Sequence, residues 1–531
     1  MFTPNASSWR GAAALSAACL FWTGCGGAGS GAPERKGGGG ELRVLLPAEP
    51  RDLDPNGIQD EVSLLLAPNL YNRLVMIDAD SRILPDLAGS WEVGANGLEY
   101  TFHLRDGVRW HDGHPFRAAD VRWTLEHQAH RQSFGEEAYR RIAAVETPDE
   151  RTVVVRLREP WSPFLAMIAS YGAFILHPPH SPAEKIPRPR PVGTGPFKLQ
   201  AWEKGRRIVL GANHDYFRTG PFLDRVVYEF EPDPDRGPQR LIEGEADYLV
   251  GRPPLSALPR LARSPEVRVA TFPGDGQYSL LFNLRRRPFQ DLRVRRAFNR
   301  AIDRPALLAG ALFGYGTPGT GFYTPAVAWA FNPAARAPEL DLASARSLLE
   351  QAGFRPDDQG VRLRAQLLTP ALSPFADVAR VAASQLAAAG IELQVEVVPG
   401  REWIARTTGS HDFDVALMGG SLGPDPEILN LRFGSRSPVR PTGYSNPEFD
   451  AAVAEGARAL NLPRRARAYF RAQEILARDL PMIPLADGAS VTVCRRGVTG
   501  LPRLEARGLV TDLDFSLVRV REASPVAEDR R

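Results

Sequence analysis

The chain has 531 residues, 43% of them hydrophobic and 24% charged, which calls for two or three core-forming units and fits an ordinary soluble globular body. A formal net charge of +3 gives no reason to invoke a nucleic-acid partner. Three cysteines, Cys19, Cys25 and Cys494, leave no internal disulfide once the N-terminal segment is removed.

That segment reads as a secretory signal. Arg10 precedes an apolar run over 11–22 that is too short to span a bilayer. Thr23-Gly24-Cys25 sets small residues before a cysteine, similar to the lipobox of bacterial lipoproteins, so residues 1–25 are expected to end at the lipidation site Cys25. Trp22 stands where a leucine-like residue is usual, and Cys19 after Ala17-Ala18 is the second candidate. Residues 26–40 are glycine-rich with little to bury, a flexible tether reaching roughly 20 Å. The expected location is extracytoplasmic, with the lipid holding the protein to the bacterial membrane.

The body opens with Leu42, Val44 and Leu46 in strand alternation, then a helix over 61–72. Asn96-Gly97 marks a hairpin turn, with Leu98, Tyr100, Phe102 and Leu104 on one buried face. A helix over 117–130 and a strand over 152–157 complete a small α+β unit at about 86–186, closed by a proline-rich stretch. New strands are expected over 205–211 and 225–231, and a short helix over 236–244. From about 275 the pattern changes. A strand over 278–284 precedes an amphipathic helix over 291–304, with Val294, Ala297, Phe298, Ala301 and Ile302 on one face and Asp291 as N-cap. Strand 361–369, helix 374–389 and strand 391–398 form a βαβ unit, so part of the sheet should be parallel. A strand over 413–419 and a helix over 463–479 follow.

The residues with chemical potential are few. Asp106, His111, Asp112 and His114 lie within nine positions, but Asp112-Gly113 is a turn pair, and a metal site wants three or four ligands on a rigid frame. The turn reading is preferred, with no catalytic pair. His177 and His180 flank Pro178-Pro179 and read as a stiff, solvated connector. Asp425 follows a strand C-terminus in the loop MGGSLGPDPEI, where α/β sheets bind ligands. It either pairs with a ligand ammonium or caps the helix after it. Tyr278 and Trp403 are cleft or core aromatics, and Asn283 bonds either ligand or loop backbone. No nucleotide-binding, protease or hydrolase motif occurs.

Several ordered blocks are quoted together: LAGSWEVGANGLEYTFHLRDGVRWHDGHPFRAADV, VGTGPF, EGEADYL, FNLRRRPFQDLRVRRAFNRAIDR, ARSLLEQAGF and YSNPEFD before the late helix and LPMIPL. Over about 41–510 the chain resembles the large solute-binding proteins of ABC importers in the oligopeptide/dipeptide/nickel family (family 5). The resemblance implies an α/β, two-lobe periplasmic-binding-protein (type II, class C) fold with an extra small α+β domain. Lobe I would combine 41–85, 187–273 and 487–522, lobe II would be 274–486, the extra domain 86–186, and 523–531 a disordered tail. Crossings between lobes would fall near 273–276 and 485–489. The resemblance implies a monomeric, non-enzymatic protein without cofactor or metal. It would enclose a peptide or similar small solute and deliver it to an ABC permease and ATPase complex; metal chelates, oligosaccharides and a sensing role are the alternatives. Asp425 matches the position that pairs with a peptide amino terminus in relatives. The ligand-binding candidates are Asp425, Ser421, Leu422, Tyr278, Asn283 and Trp403.

Overall fold

The alternating start of the body becomes a strand, Glu41–Leu46, with Leu42, Val44, Leu45 and Leu46 buried. It lies inside a sheet, parallel to Arg225–Phe230 on one side and to Tyr248–Leu249 on the other, so both of its edges are paired. The computed structural model describes residues 39–55, 61–78, 81–128, 136–170, 173–179, 191–250, 253–502 and 514–521. The signal, Cys19, Cys25, most of the tether, His180 and the 523–531 tail lie outside the described residues.

The main sheet is 11-stranded and mixed, and it serves two lobes. On one flank, Ile391–Val398, Leu363–Pro370 and Val415–Met418 run parallel, realising the βαβ unit around helix Phe375–Ala387. On the other flank, strands Phe197–Glu203, Arg207–Ala212 and Arg225–Phe230 form an antiparallel meander. Two long antiparallel strands, Val267–Phe282 and Met482–Arg495, join the flanks; their register runs from Val267 opposite Arg495 to Leu281 opposite Met482. Pairing is irregular between Pro273 and Gln277. The expected strand at 278–284 is therefore the second half of a strand that begins at Val267. Pro273, Gly274 and Gly276 break the hydrophobic alternation that would have shown its continuity.

One apolar core draws on residues from Tyr278 to Ala486. Another gathers Leu42, Val44, Leu70, Phe197, Leu210 and Val226 with the late residues Cys494, Val498 and Phe515. A third fills a separate four-stranded antiparallel sheet ordered Ala88–Val93, Glu99–Leu104, Thr152–Leu157, Ile142–Glu146, with Tyr100, Phe102, Trp110 and Trp161 at its centre. There the Asn96-Gly97 turn has Gly97 at φ 68°, a conformation glycine adopts without strain.

The expected helix over 291–304 is two helices, Leu292–Arg300 and Arg304–Leu312. Asp291 caps the first through Arg293 N–H (2.8 Å). Asp303 caps the second through Ala306 N–H (2.9 Å), with Pro305 in its first turn. Ala301 and Ile302 stay buried across the break, so apolar spacing alone reads through it. No helix among the described residues is long and apolar enough to cross a membrane.

Candidate ligand-binding site

Where the long strands cross, backbone packs on backbone. A Cβ on Gly274 would lie 2.3 Å from the Gly488 carbonyl oxygen, so only glycine fits. Gln277 ties the crossing to the loop after strand Val415–Met418: its N–H donates to Gly420 O (3.1 Å), and Gly276 forms a bridge with Ser421. The Gln277 side-chain amide donates to Asp487 Oδ1 (2.8 Å) and Gly321 O (3.1 Å). Burial pushes the Asp487 carboxyl up to about 7, with the Gln277 amide offsetting part of that rise.

Asp425 is committed within the protein. Only 4% of the residue is exposed, and Arg465 Nη2 donates to both carboxylate oxygens, at 3.0 and 2.7 Å. Asp425 Oδ1 also accepts from Glu427 N–H (3.0 Å), just before helix Ile428–Phe433. The carboxylate expected to meet a ligand ammonium thus has its charge neutralised forty residues along the chain, and its bond to Glu427 N–H closes a turn ahead of the helix, whose N-cap position is Glu427. Beside it, burial raises Glu427 to about 7, although Asn430 and Tyr469 both donate hydrogen bonds to it.

The other candidates divide. Ser421 is exposed, and its Oγ accepts from Gly423 N–H (2.9 Å). Leu422 is buried in the core of 278–486. Tyr278 is buried edge-on to Phe375 with ring centroids 5.3 Å apart, and the two rings close over Gly419, where a Cβ would come within 2.9 Å of both. Asn283 gives its amide to His411 O and Phe413 O (both 2.9 Å) and its oxygen to Arg285 N–H (3.2 Å), so backbone takes this side chain. Trp403 lies half-buried in the short helix after strand Ile391–Val398, and its indole N–H is buried with no hydrogen-bond partner among the described residues.

Arg432 was not singled out from sequence. It is half-buried, its Nη2 donates to Ser421 O (3.2 Å), and among the described residues no carboxylate pairs with it. Desolvation lowers it to about 10. The available signal was weak: Arg432 is a cation in the short helix that directly follows the loop. The Ser421 loop thus joins the crossing through Gly276 and Gln277 and the Arg432 guanidinium through the Ser421 carbonyl.

The turn histidines separate into two roles. His111 Nδ1 accepts from Gly193 N–H (3.2 Å), which puts its proton on Nε2 for donation to Gly195 O (3.0 Å). Burial lowers it to about 4, so it is a neutral clamp. His177 is not a solvated connector: it is buried, with its ring centroid 4.6 Å from that of Trp110. Its Nε2 lies 3.3 Å from Asp112 Oδ2.

Comparison with known proteins follows this geometry. Residues 82–438 match the model of the bacterial extracellular solute-binding proteins, family 5 (middle region). The glutathione-binding protein GsiB of Escherichia coli is 28% identical over 491 residues, covering 87% of this chain and 91% of that protein. The periplasmic binding protein DppA from Helicobacter pylori, solved with the peptide STSA, is 26% identical with a TM-score of 0.76, covering 91% of this chain and 98% of that one. The substrate-binding protein CtaP from Listeria monocytogenes shares the fold at a TM-score of 0.81 and 24% identity, covering 91% of this chain and all of that one.

Proposed function

Because the chain belongs to the bacterial extracellular solute-binding proteins, family 5, we propose that it captures a short peptide or peptide-like solute by a free carboxylate. The family role is extracytoplasmic, non-catalytic solute binding for an ABC importer; no bond is made or broken. The observation carrying the finer reading is Arg432, a guanidinium beside the exposed Ser421 loop with no acidic partner among the described residues. A ligand carboxylate would complete it with charge-assisted hydrogen bonds. The names of the relatives agree, since glutathione and the peptide STSA both carry carboxylates. Asp425 is not assigned to the ligand amine, because Arg465 occupies it.

In this reading the lobes keep the boundaries drawn from sequence, with 274–486 swinging on the crossings at 273–276 and 485–489. Ligand touches both lobes only when they close, so its differential affinity draws the population to the closed form, which docks on the permease. Ser421, Tyr278 and Trp403 line the approach, and Cys25 carries the lipid that keeps the protein at the membrane.

The test is calorimetric titration with glutathione and with di-, tri- and tetrapeptides, each as free acid and as C-terminal amide. Free acids are expected to bind at least tenfold more tightly than amides, on the order of the 1.5–3 kcal/mol of a charged hydrogen bond. Arg432→Gln should erase that difference. Equal binding of acid and amide by the unaltered protein overturns the carboxylate assignment, and failure of every peptide overturns the ligand class.

A further inference from the structure

We propose that Asp112, His114 and His177 form a binding site for a borderline divalent transition cation such as zinc or nickel, on the α+β unit and away from the crossing. The turn alone offered too few ligands on too loose a frame; the fold supplies the third ligand and the rigidity. Asp112 Oδ1 lies 3.1 Å from His114 Nδ1 and Asp112 Oδ2 lies 3.3 Å from His177 Nε2, and one donor atom from each residue falls within 4.8 Å of the others. Ligands at about 2.0–2.1 Å around a tetrahedral ion sit roughly 3.3 Å apart, the spacing that Asp112 shows to each histidine, through Oδ1 to His114 and Oδ2 to His177.

The frame is fixed from several sides. Asp112 Oδ1 accepts from His114 N–H (3.2 Å), and Trp110 N–H donates to His114 O (2.9 Å), closing the turn on itself. The neutral His111 clamps that turn to Gly193 and Gly195, and Trp110 is pinned by its indole N–H to Asp120 Oδ2 (3.0 Å). His177 Nδ1 lies 2.5 Å from Pro178 O. A carbonyl only accepts, so Nδ1 holds a proton, and Nε2 is the ring nitrogen turned to the Asp112 carboxylate. Either a proton on Nε2 or a bound cation joins the two groups at that distance, and the cation displaces the proton when it binds. A backbone carbonyl holding the far nitrogen is also the usual support of a metal-bound imidazole. His114 and Asp112 lie toward solvent, with side chains 60% and 26% exposed, which leaves a coordination position for water.

The experiment uses the intact protein purified without a histidine tag and freed of metal by chelation, titrated with Zn²⁺ by calorimetry and with Co²⁺ by visible absorbance. One ion per chain is expected, with the absorbance of nitrogen–oxygen coordination. His114→Ala and Asp112→Asn, both at the exposed rim, should each weaken Zn²⁺ binding by tenfold or more while circular dichroism stays unchanged. His103→Ala, on the neighbouring hairpin, should leave it unaltered. No binding by the unaltered protein, or undiminished binding in both rim variants, overturns the site.

Discussion

Arg465 and Asp425 are one unit energetically, because among the described residues each is the counter-charge that makes the burial of the other tolerable. Their side chains are 9% and 2% exposed, and the guanidinium also sits 4.9 Å from the Trp329 ring centroid. Removing one partner of a buried pair strands the other, so Arg465→Ala should cost ~3–5 kcal/mol in urea unfolding at pH 7. Arg432→Gln removes a half-exposed cation with no carboxylate partner among the described residues and should change stability by less than about 0.5 kcal/mol. A loss of affinity in Asp425→Ala therefore has to be read beside its stability, whereas a loss in Arg432→Gln reports on the ligand directly. The sequence marked the loop as a place for a ligand from strand-end position alone. It could not show that Asp425 is occupied, since Arg465 lies on a different helix, nor that His177 reaches Asp112 across sixty-five positions.

Among the elements, the crossing strands carry a titration. Burial holds Asp487 protonated up to about 7 in the folded protein, against an ordinary carboxyl value of 3.8. The folded state then binds one proton more than the unfolded chain between those values. Stability from this group is complete below about pH 4 and is lost as the pH rises toward 7. Glu427, also raised to about 7, adds in the same direction. Thermal unfolding should show the melting temperature falling between pH 5 and 8, with a shallower fall in Asp487→Asn; an identical slope in the variant would exclude Asp487 as a source. The hairpin and the βαβ unit were legible because their apolar residues alternate cleanly and their turns are marked by Asn96-Gly97 and Gly390. The crossing was only half legible, because Pro273 and Gly274 look like a terminus when read locally. What continues the strand through them is a fourteen-residue partner strand of the same polypeptide, more than two hundred positions away. The split at Ala301–Asp303 was missed for the opposite reason: the apolar spacing continues while the hydrogen-bonded helix does not.

At the scale of the molecule, two lobes connected by a glycine-packed crossing should change relative position more readily than shape. Small-angle scattering is expected to show a smaller radius of gyration when a tight-binding peptide is added, with circular dichroism unchanged. Identical scattering curves with and without bound peptide would remove closure from the mechanism.

The path of the chain through the main sheet also bears on biosynthesis. Phe515 N–H donates to Asn69 Oδ1 (2.9 Å), 446 positions apart, and the core around Leu42 and Leu70 includes Cys494, Val498 and Phe515. The core drawn from Tyr278 to Ala486 has all its buried members in hand once residue 486 is made. The half of the protein that is translated first is therefore the half that finishes last. It waits for the final strand and the segment beyond it, so a polypeptide truncated before residue 490 would pack its later-made core and leave its earlier-made one open.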